Sequence, residues 1–226
     1  MAVTHSGAGM LSVTLVVAAT HSTLGIGRAG SLPWRLPRDM AFFRLVTSAC
    51  NDESSRKPAV VMGRKTWDSL PQKFRPLPNR TNIILSRSVV SHGEGTFTFA
   101  SLTSALDALS SSDSKSAVPP ASKVFIIGGA EIYAEALRHL SASRVLLTIV
   151  YPPDETALSL DTYLPDFRKS EDWKLASPED LRKYILEEVQ SEEAVSLLPK
   201  VGERIKEKGY EYEFTLWERS QKYFTS

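Results

Sequence analysis

Short runs of apolar, largely β-branched residues recur along this chain, and their spacing restricts the fold more than any other feature. Residues 11–19, Leu-Ser-Val-Thr-Leu-Val-Val-Ala-Ala, are nearly continuous in apolar character, which suits a strand covered on both faces. Similar runs stand at 59–62, 81–85, 124–127 and 145–150, with helix-compatible stretches between several of them. The alternation predicts an α/β fold with a mainly parallel central sheet flanked by helices. Residues 210–217 instead alternate with period two, as a half-exposed antiparallel edge strand does. The natural partner of that strand is the stretch 173–176, which makes 178 to about 209 an elaborated hairpin connection packed outside the sheet.

That connection carries its own helix signal. Ser177, Pro178, Glu179 and Asp180 supply a capping hydroxyl, a proline at the first helical position and acids in the first turn. Leu181, Tyr184, Ile185 and Val189 then form one apolar stripe, read as a docking face. Residues 107–122 are Ser-rich and end in Pro119-Pro120, so they read as a solvated loop inside one domain spanning 1–226.

Composition excludes several classes of function. The 27 basic and 26 acidic residues leave a net charge of +1, too little for a dedicated nucleic-acid binder. No apolar run reaches the ~18 residues of a membrane span, and residues 1–10 lack the pattern of a secretory leader. The single cysteine, Cys50, forms no internal disulfide, and His5, His21, His92 and His139 are too scattered to hold a metal. A cytoplasmic protein without a metal is the expectation.

The glycines are the next signal. Gly25, Gly27 and Gly30 match the GxGxxG string, yet Pro33 and Pro37 follow where a dinucleotide fold needs a helix. They read instead as a tightly turning lid, with Leu32 and Trp34 as apolar cover. Asp39 and Phe43 share a face of the helix that follows Pro37: either an acid complementing the helix dipole, or a carboxylate gripping a nitrogen-rich ring beside an aromatic wall. Gly63-Arg64-Lys65-Thr66, Ser86-Arg87 and Gly128-Gly129 each follow a predicted strand, and together they read as strand-to-helix junctions for a phosphate-bearing cofactor.

The string Leu24-Gly-Ile-Gly-Arg-Ala-Gly-Ser-Leu-Pro-Trp-Arg-Leu-Pro-Arg-Asp39 resembles dihydrofolate reductase. So do, in order, Val61-Met-Gly-Arg-Lys-Thr-Trp67, Pro76-Leu-Pro-Asn-Arg80, Ile84-Leu-Ser-Arg87 and Ile126-Ile-Gly-Gly-Ala-Glu-Ile-Tyr133. The resemblance covers roughly 11–176 and 209–219, and the region 35–37 together with the 178–209 insertion makes it most similar to fungal or other lower-eukaryotic members.

This resemblance implies NADPH-dependent reduction of dihydrofolate to tetrahydrofolate, inhibition by antifolates, and a monomer. It implies a catalytic set of Leu32, Trp34, Asp39, Tyr133 and Thr148, with Asp39 binding the pterin 2-amino group and N3 and Trp34 holding a water. It places substrate against Val16, Val17, Ala18, Met40, Phe43, Thr66, Ser69, Leu70, Leu77 and Ile127, with Arg80 on the α-carboxylate of the glutamate tail. Cofactor contacts would come from Ala18, Ile26, Gly30, Ser31, Gly63, Leu85, Ile127, Ala130, Glu131 and Ile132. Arg64, Ser86 and Arg87 would meet the 2′-phosphate, and Lys65, Thr66 and the turn at Gly128 and Gly129 the pyrophosphate. In that family the Gly128-Gly129 bond is a cis peptide, which no sequence pattern reveals. A related reductase acting on another heterocycle and a catalytically silent binding module are the competing readings.

Overall fold

A computed structural model describes residues 11–49, 56–88, 93–111 and 116–220. The readings for residues 1–10, Cys50 and His92 lie outside the described residues. The predicted runs form β1 (Val13–Thr20), β3 (Ala59–Gly63), β4 (Thr81–Leu85), β6 (Val124–Ile126) and β7 (Ala142–Tyr151). β2 (Gly25–Gly27) and β8 (Thr162–Tyr163) make a small antiparallel pair beside the main sheet. The main helices are α1 (Pro37–Ser48), α2 (Arg64–Ser69), α3 (Leu102–Ser110) and α4 (Ala130–Arg138).

The main sheet runs β10-β11-β7-β1-β6-β3-β4-β5, where β5 is Thr96–Phe99, β10 is Ile205–Glu207 and β11 is Tyr210–Arg219. β1, β3, β4, β5, β6 and β7 are mutually parallel. β11 joins β7 antiparallel, and β9 (Trp173–Leu175) and β10 both pair with β11. The predicted pairing of 173–176 with the C-terminal strand is therefore present: Trp217 faces Leu175 and Arg219 faces Trp173.

Period-two alternation sorts the core into two layers. Val13, Leu15, Val17, Val61 and Ile83 point to the face covered by α3 and α4, with Leu102, Leu106 and Ala136 packed there. Val16, Val60, Met62, Ile84, Phe125 and Leu146 point to the other face, against Phe42 and Val46 of α1 and Trp67 of α2. Tyr212, Phe214 and Leu216 of β11 face this second layer, which is why that strand alternates so regularly.

The connection 178–209 closes the second layer. Ser177 and Asp180 form a capping box that starts α5 (Pro178–Lys183). The chain widens into a π-helical turn over Tyr184–Val189, then forms α6 (Glu192–Ser196). Leu181, Tyr184, Ile185 and Val189 are all buried, as their stripe predicts.

Three expectations need correction. The Ser-rich stretch is not all loop: α3 runs to Ser110, and Val118 and Ala121 are buried, with the Ala121 N–H donating to the Leu109 carbonyl at 3.1 Å. Apolar anchors override local composition there, while 112–115 lie outside the described residues. Ser86-Arg87 does not open a helix, because β4 leads to the parallel edge strand β5. The connection 178–209 holds more than the helix its capping signal announces, since β10 pairs with β11 inside it.

Candidate active site

A cleft of about 1020 Å³ opens where the carboxyl-terminal half of β1 meets α1, α2 and the Gly128-Gly129 turn. It is bordered at one end by Asp39, Met40 and Phe43, and at the other by Leu85, Ser86 and Arg87. Val16, Val17, Ala18, Ile127, Tyr133 and Thr148 make its floor, and Ile26, Gly30, Ser31 and Leu32 its rim. Gly63, Arg64, Lys65, Thr66, Ser69 and Leu70 enter from the α2 side, and Gly128, Gly129, Ala130, Glu131 and Ile132 from the start of α4.

Asp39 lies in the first turn of α1, where Pro37 begins the helix, and its side chain is buried against the sheet. Thr148 Oγ1 donates to Asp39 Oδ1 at 2.7 Å. Burial raises the Asp39 pKa from 3.8 to about 6; the Thr148 hydrogen bond opposes this and the Glu207 charge adds to it. The acid therefore titrates close to neutrality, where both protonation states are accessible. Beside it, Tyr133 Oη donates to the Val16 carbonyl at 2.8 Å, and burial pushes that phenol far up.

Trp34, Leu77 and Arg80 do not border the cleft, and all three are buried. Trp34 is thus no surface cover; its indole Nε1 is enclosed without a hydrogen-bond partner among the described residues. Leu32 does project, at 55% exposure. Arg80 donates from Nη1 to Thr47 Oγ1 at 2.7 Å and from Nε to the Pro78 carbonyl at 3.0 Å. Thr47 follows Phe43 by one turn of α1, so the guanidinium lies one helical turn beyond the cleft wall. Burial first, and Arg44 second, lower the Arg80 pKa to about 10, leaving it cationic at neutral pH.

The glycine-rich loop is not a dinucleotide turn. Gly25–Gly27 is strand β2, and Arg28 and Ser31 exchange backbone hydrogen bonds of 2.9 Å around a turn at Ala29 and Gly30. Asp161 Oδ2 accepts from the Ala29 N–H at 2.7 Å and ties the turn to the β8 segment. The pair that does form a cradle is Gly128-Gly129. Its peptide bond is cis, Gly128 has φ +116°, and the Gly63 N–H donates to the Gly128 carbonyl at 2.8 Å. A Cβ on Gly129 would stand 3.2 Å from Thr66 Oγ1, so absence of side chains keeps this approach open.

Sequence reasoning missed the contribution of β11. Phe214 and Thr215 border the cleft, and Phe214 stacks on Phe42 of α1 with ring centroids 4.1 Å apart. The period-two pattern announced a half-exposed strand there, but not which of its residues would reach the cleft or which helix they would meet.

The sequence matches the dihydrofolate reductase family model over residues 12–192. It is 37% identical to dihydrofolate reductase of Candida albicans, over 92% of this chain and 97% of that protein. The chain belongs to the dihydrofolate reductase family. It is 35% identical to the Saccharomyces cerevisiae reductase, covering 93% of this chain and 98% of the yeast protein. The fold superposes on Schistosoma mansoni dihydrofolate reductase with a TM-score of 0.69 at 30% identity, covering 93% and 99% of the two chains. The expected fungal character agrees with the Candida and Saccharomyces relatives. Membership makes the chain a reductase that converts dihydrofolate to tetrahydrofolate, in a family that uses a nicotinamide cofactor.

Proposed function

We propose that the cofactor is NADPH and that the cleft holds it against the pterin of 7,8-dihydrofolate, with Asp39 as the group that grips the pterin. The observation that carries this reading is a buried carboxylate, hydrogen-bonded by Thr148 and titrating near pH 6, in a cleft that also presents Arg64, Lys65 and Arg87.

The residues fit a nicotinamide dinucleotide. The glycine cradle at Gly63, Gly128 and Gly129 leaves backbone open to close approach, and Thr66 offers a hydroxyl beside it. Arg64, Lys65 and Arg87 supply cations for phosphate, and Val16, Ala18 and Ile127 an apolar floor for a flat ring. The reduced nicotinamide, when bound, supplies the hydride delivered to C6 of the pterin.

The chain's own residues bind, orient and exclude water. Asp39 accepts from the 2-amino group and N3 of the pterin and favours its protonated form, while Thr148 fixes the carboxylate's orientation. Phe43, Leu32 and Phe214 enclose the ring, so positioning in a dry cleft supplies much of the rate. The enclosed Trp34 N–H, behind the cleft wall, is left free to hold a water, and the proton for N5 arrives through water. Arg80, which precedes β4 and meets Thr47 one turn along α1 from Phe43, receives the α-carboxylate of the glutamate tail.

The test follows loss of the reduced nicotinamide absorbance with dihydrofolate, comparing NADPH with NADH and wild type with Asp39→Asn. Rapid, antifolate-sensitive oxidation of NADPH that collapses in the variant is the expected result. Full activity of the variant at neutral pH would remove Asp39 from the mechanism.

A further inference from the structure

The helix that carries Asp39 begins without a cap of its own. Leu36 occupies the cap position and offers no side-chain acceptor, and Pro37 has no N–H. The first free donor of α1 is therefore the Arg38 N–H. It is satisfied from the far end of the chain, by Glu207 Oε2 of β10 at 3.2 Å. The same oxygen accepts from the fully buried Tyr212 hydroxyl at 2.8 Å, which fixes the carboxylate in place. Arg38 is held a second time: its Nε donates to the Leu197 carbonyl, just after α6, at 2.7 Å. Both grips come from the 178–209 connection, and both fall on the residue immediately before the acid.

We infer that Glu207 is a positioning residue for Asp39, anchoring the first turn of α1 and adding a second negative charge to its surroundings. This rests on the proposed role of Asp39. A carboxylate is well placed at a helix N-terminus, where it meets the positive end of the dipole. Its negative charge also disfavours ionisation of Asp39, in the same direction as burial. Four groups face Asp39: Thr148 from β7, Tyr133 from α4, Tyr212 from β11 and Glu207 from β10. Among these four, Glu207 is the one carboxylate. Of the cations that flank these residues in sequence, Arg38 donates from Nε to the neutral Leu197 carbonyl and Lys206 pairs with Glu211 at 3.1 Å.

The test uses the full chain with Glu207→Gln, which keeps an acceptor and removes the charge, Glu207→Asp, which keeps the charge, and Glu207→Ala, which removes both. The Asp39 carboxyl is titrated by carbon NMR without ligands, and kcat and KM are measured across pH. Glu207→Gln is expected to lower the Asp39 midpoint by a few tenths of a pH unit, ~0.3 to 0.5, and Glu207→Asp to return it toward wild type. Glu207→Ala is expected to lower kcat/KM for dihydrofolate roughly threefold to tenfold, with the KM for the cofactor unchanged. A purely structural contact would leave the midpoint in Glu207→Gln at its wild-type value, and that result overturns the inference. A shifted midpoint in a protein that does not reduce dihydrofolate leaves the coupling standing and overturns the proposed function instead.

Discussion

Thr148 Oγ1 donates to Asp39 Oδ1 at 2.7 Å, joining the first turn of α1 to the middle of β7 across 109 residues of sequence. The bond favours the charged carboxylate while burial disfavours it, and burial wins, since the pKa rests at about 6. Thr148→Val removes the donor at nearly constant volume, so the Asp39 midpoint should move further up. The KM for dihydrofolate should rise roughly threefold to tenfold, because the carboxylate is no longer held in one orientation. Carbon NMR titration and steady-state kinetics on the same protein check both parts.

The raised pKa of Asp39 also has a consequence for stability. Well below pH 3.8 the carboxyl is protonated in both folded and unfolded chains and costs nothing. As pH rises, the unfolded chain loses its proton first, so the folded state loses relative stability until the folded pKa near 6 is passed. A shift of this size corresponds to about 3 kcal/mol at pH 8, as an order of magnitude. Asp39→Asn should therefore be more stable than wild type above neutrality, with the gap closing as pH falls toward 4. Urea unfolding at the two ends of that range measures it, and a gap independent of pH would refute the assignment.

The sheet was legible because its strands are buried on both faces: the largely apolar runs at β1 and β3, and Ile83-Ile84-Leu85 of β4, leave little other fold for the chain. β5 was not, because its four residues Thr96–Phe99 are all half-exposed at the sheet edge. β10 escaped for a related reason, being three residues of which only Ile205 is buried. At the site, the two prolines after Gly30 sufficed to reject a dinucleotide loop. The junction of Thr47 with Arg80 and the grip of Glu207 on Arg38 depend on residues 33 and 169 positions apart, with no local pattern to announce them.

Arg80 offers a test of geometry over charge. Two of its nitrogens are committed to Pro78 and Thr47, which fixes the plane of the guanidinium and leaves the second terminal nitrogen for a ligand. Arg80→Lys keeps a cation but loses the planar fork, so it should raise the KM for dihydrofolate roughly tenfold or more. A dihydropterin lacking the glutamate tail should show almost no change. Comparing the two substrates on one variant separates lost recognition of the tail from a disturbed pocket.

The two arginines at the cofactor end should not contribute equally. Arg64 spends its guanidinium on Asp68, four residues on, at 3.1 Å, with both side chains about half exposed. Arg87 has no ion pair among the described residues, and the Ser86 hydroxyl beside it accepts from the Ser88 N–H at 3.2 Å, leaving its own proton to donate. A 2′-phosphate reaching this end gains a full charge-assisted contact from Arg87, whereas Arg64 must first give up an existing partner. Arg87→Ala is accordingly expected to weaken NADPH roughly tenfold to a hundredfold and NADH hardly at all, and Arg64→Ala to have a smaller effect of the same sign. Fluorescence titration of both cofactors on both variants measures this. Equal weakening of NADPH and NADH by Arg87→Ala would mean that the guanidinium meets a group the two cofactors share, which places the pyrophosphate, not the 2′-phosphate, beside β4.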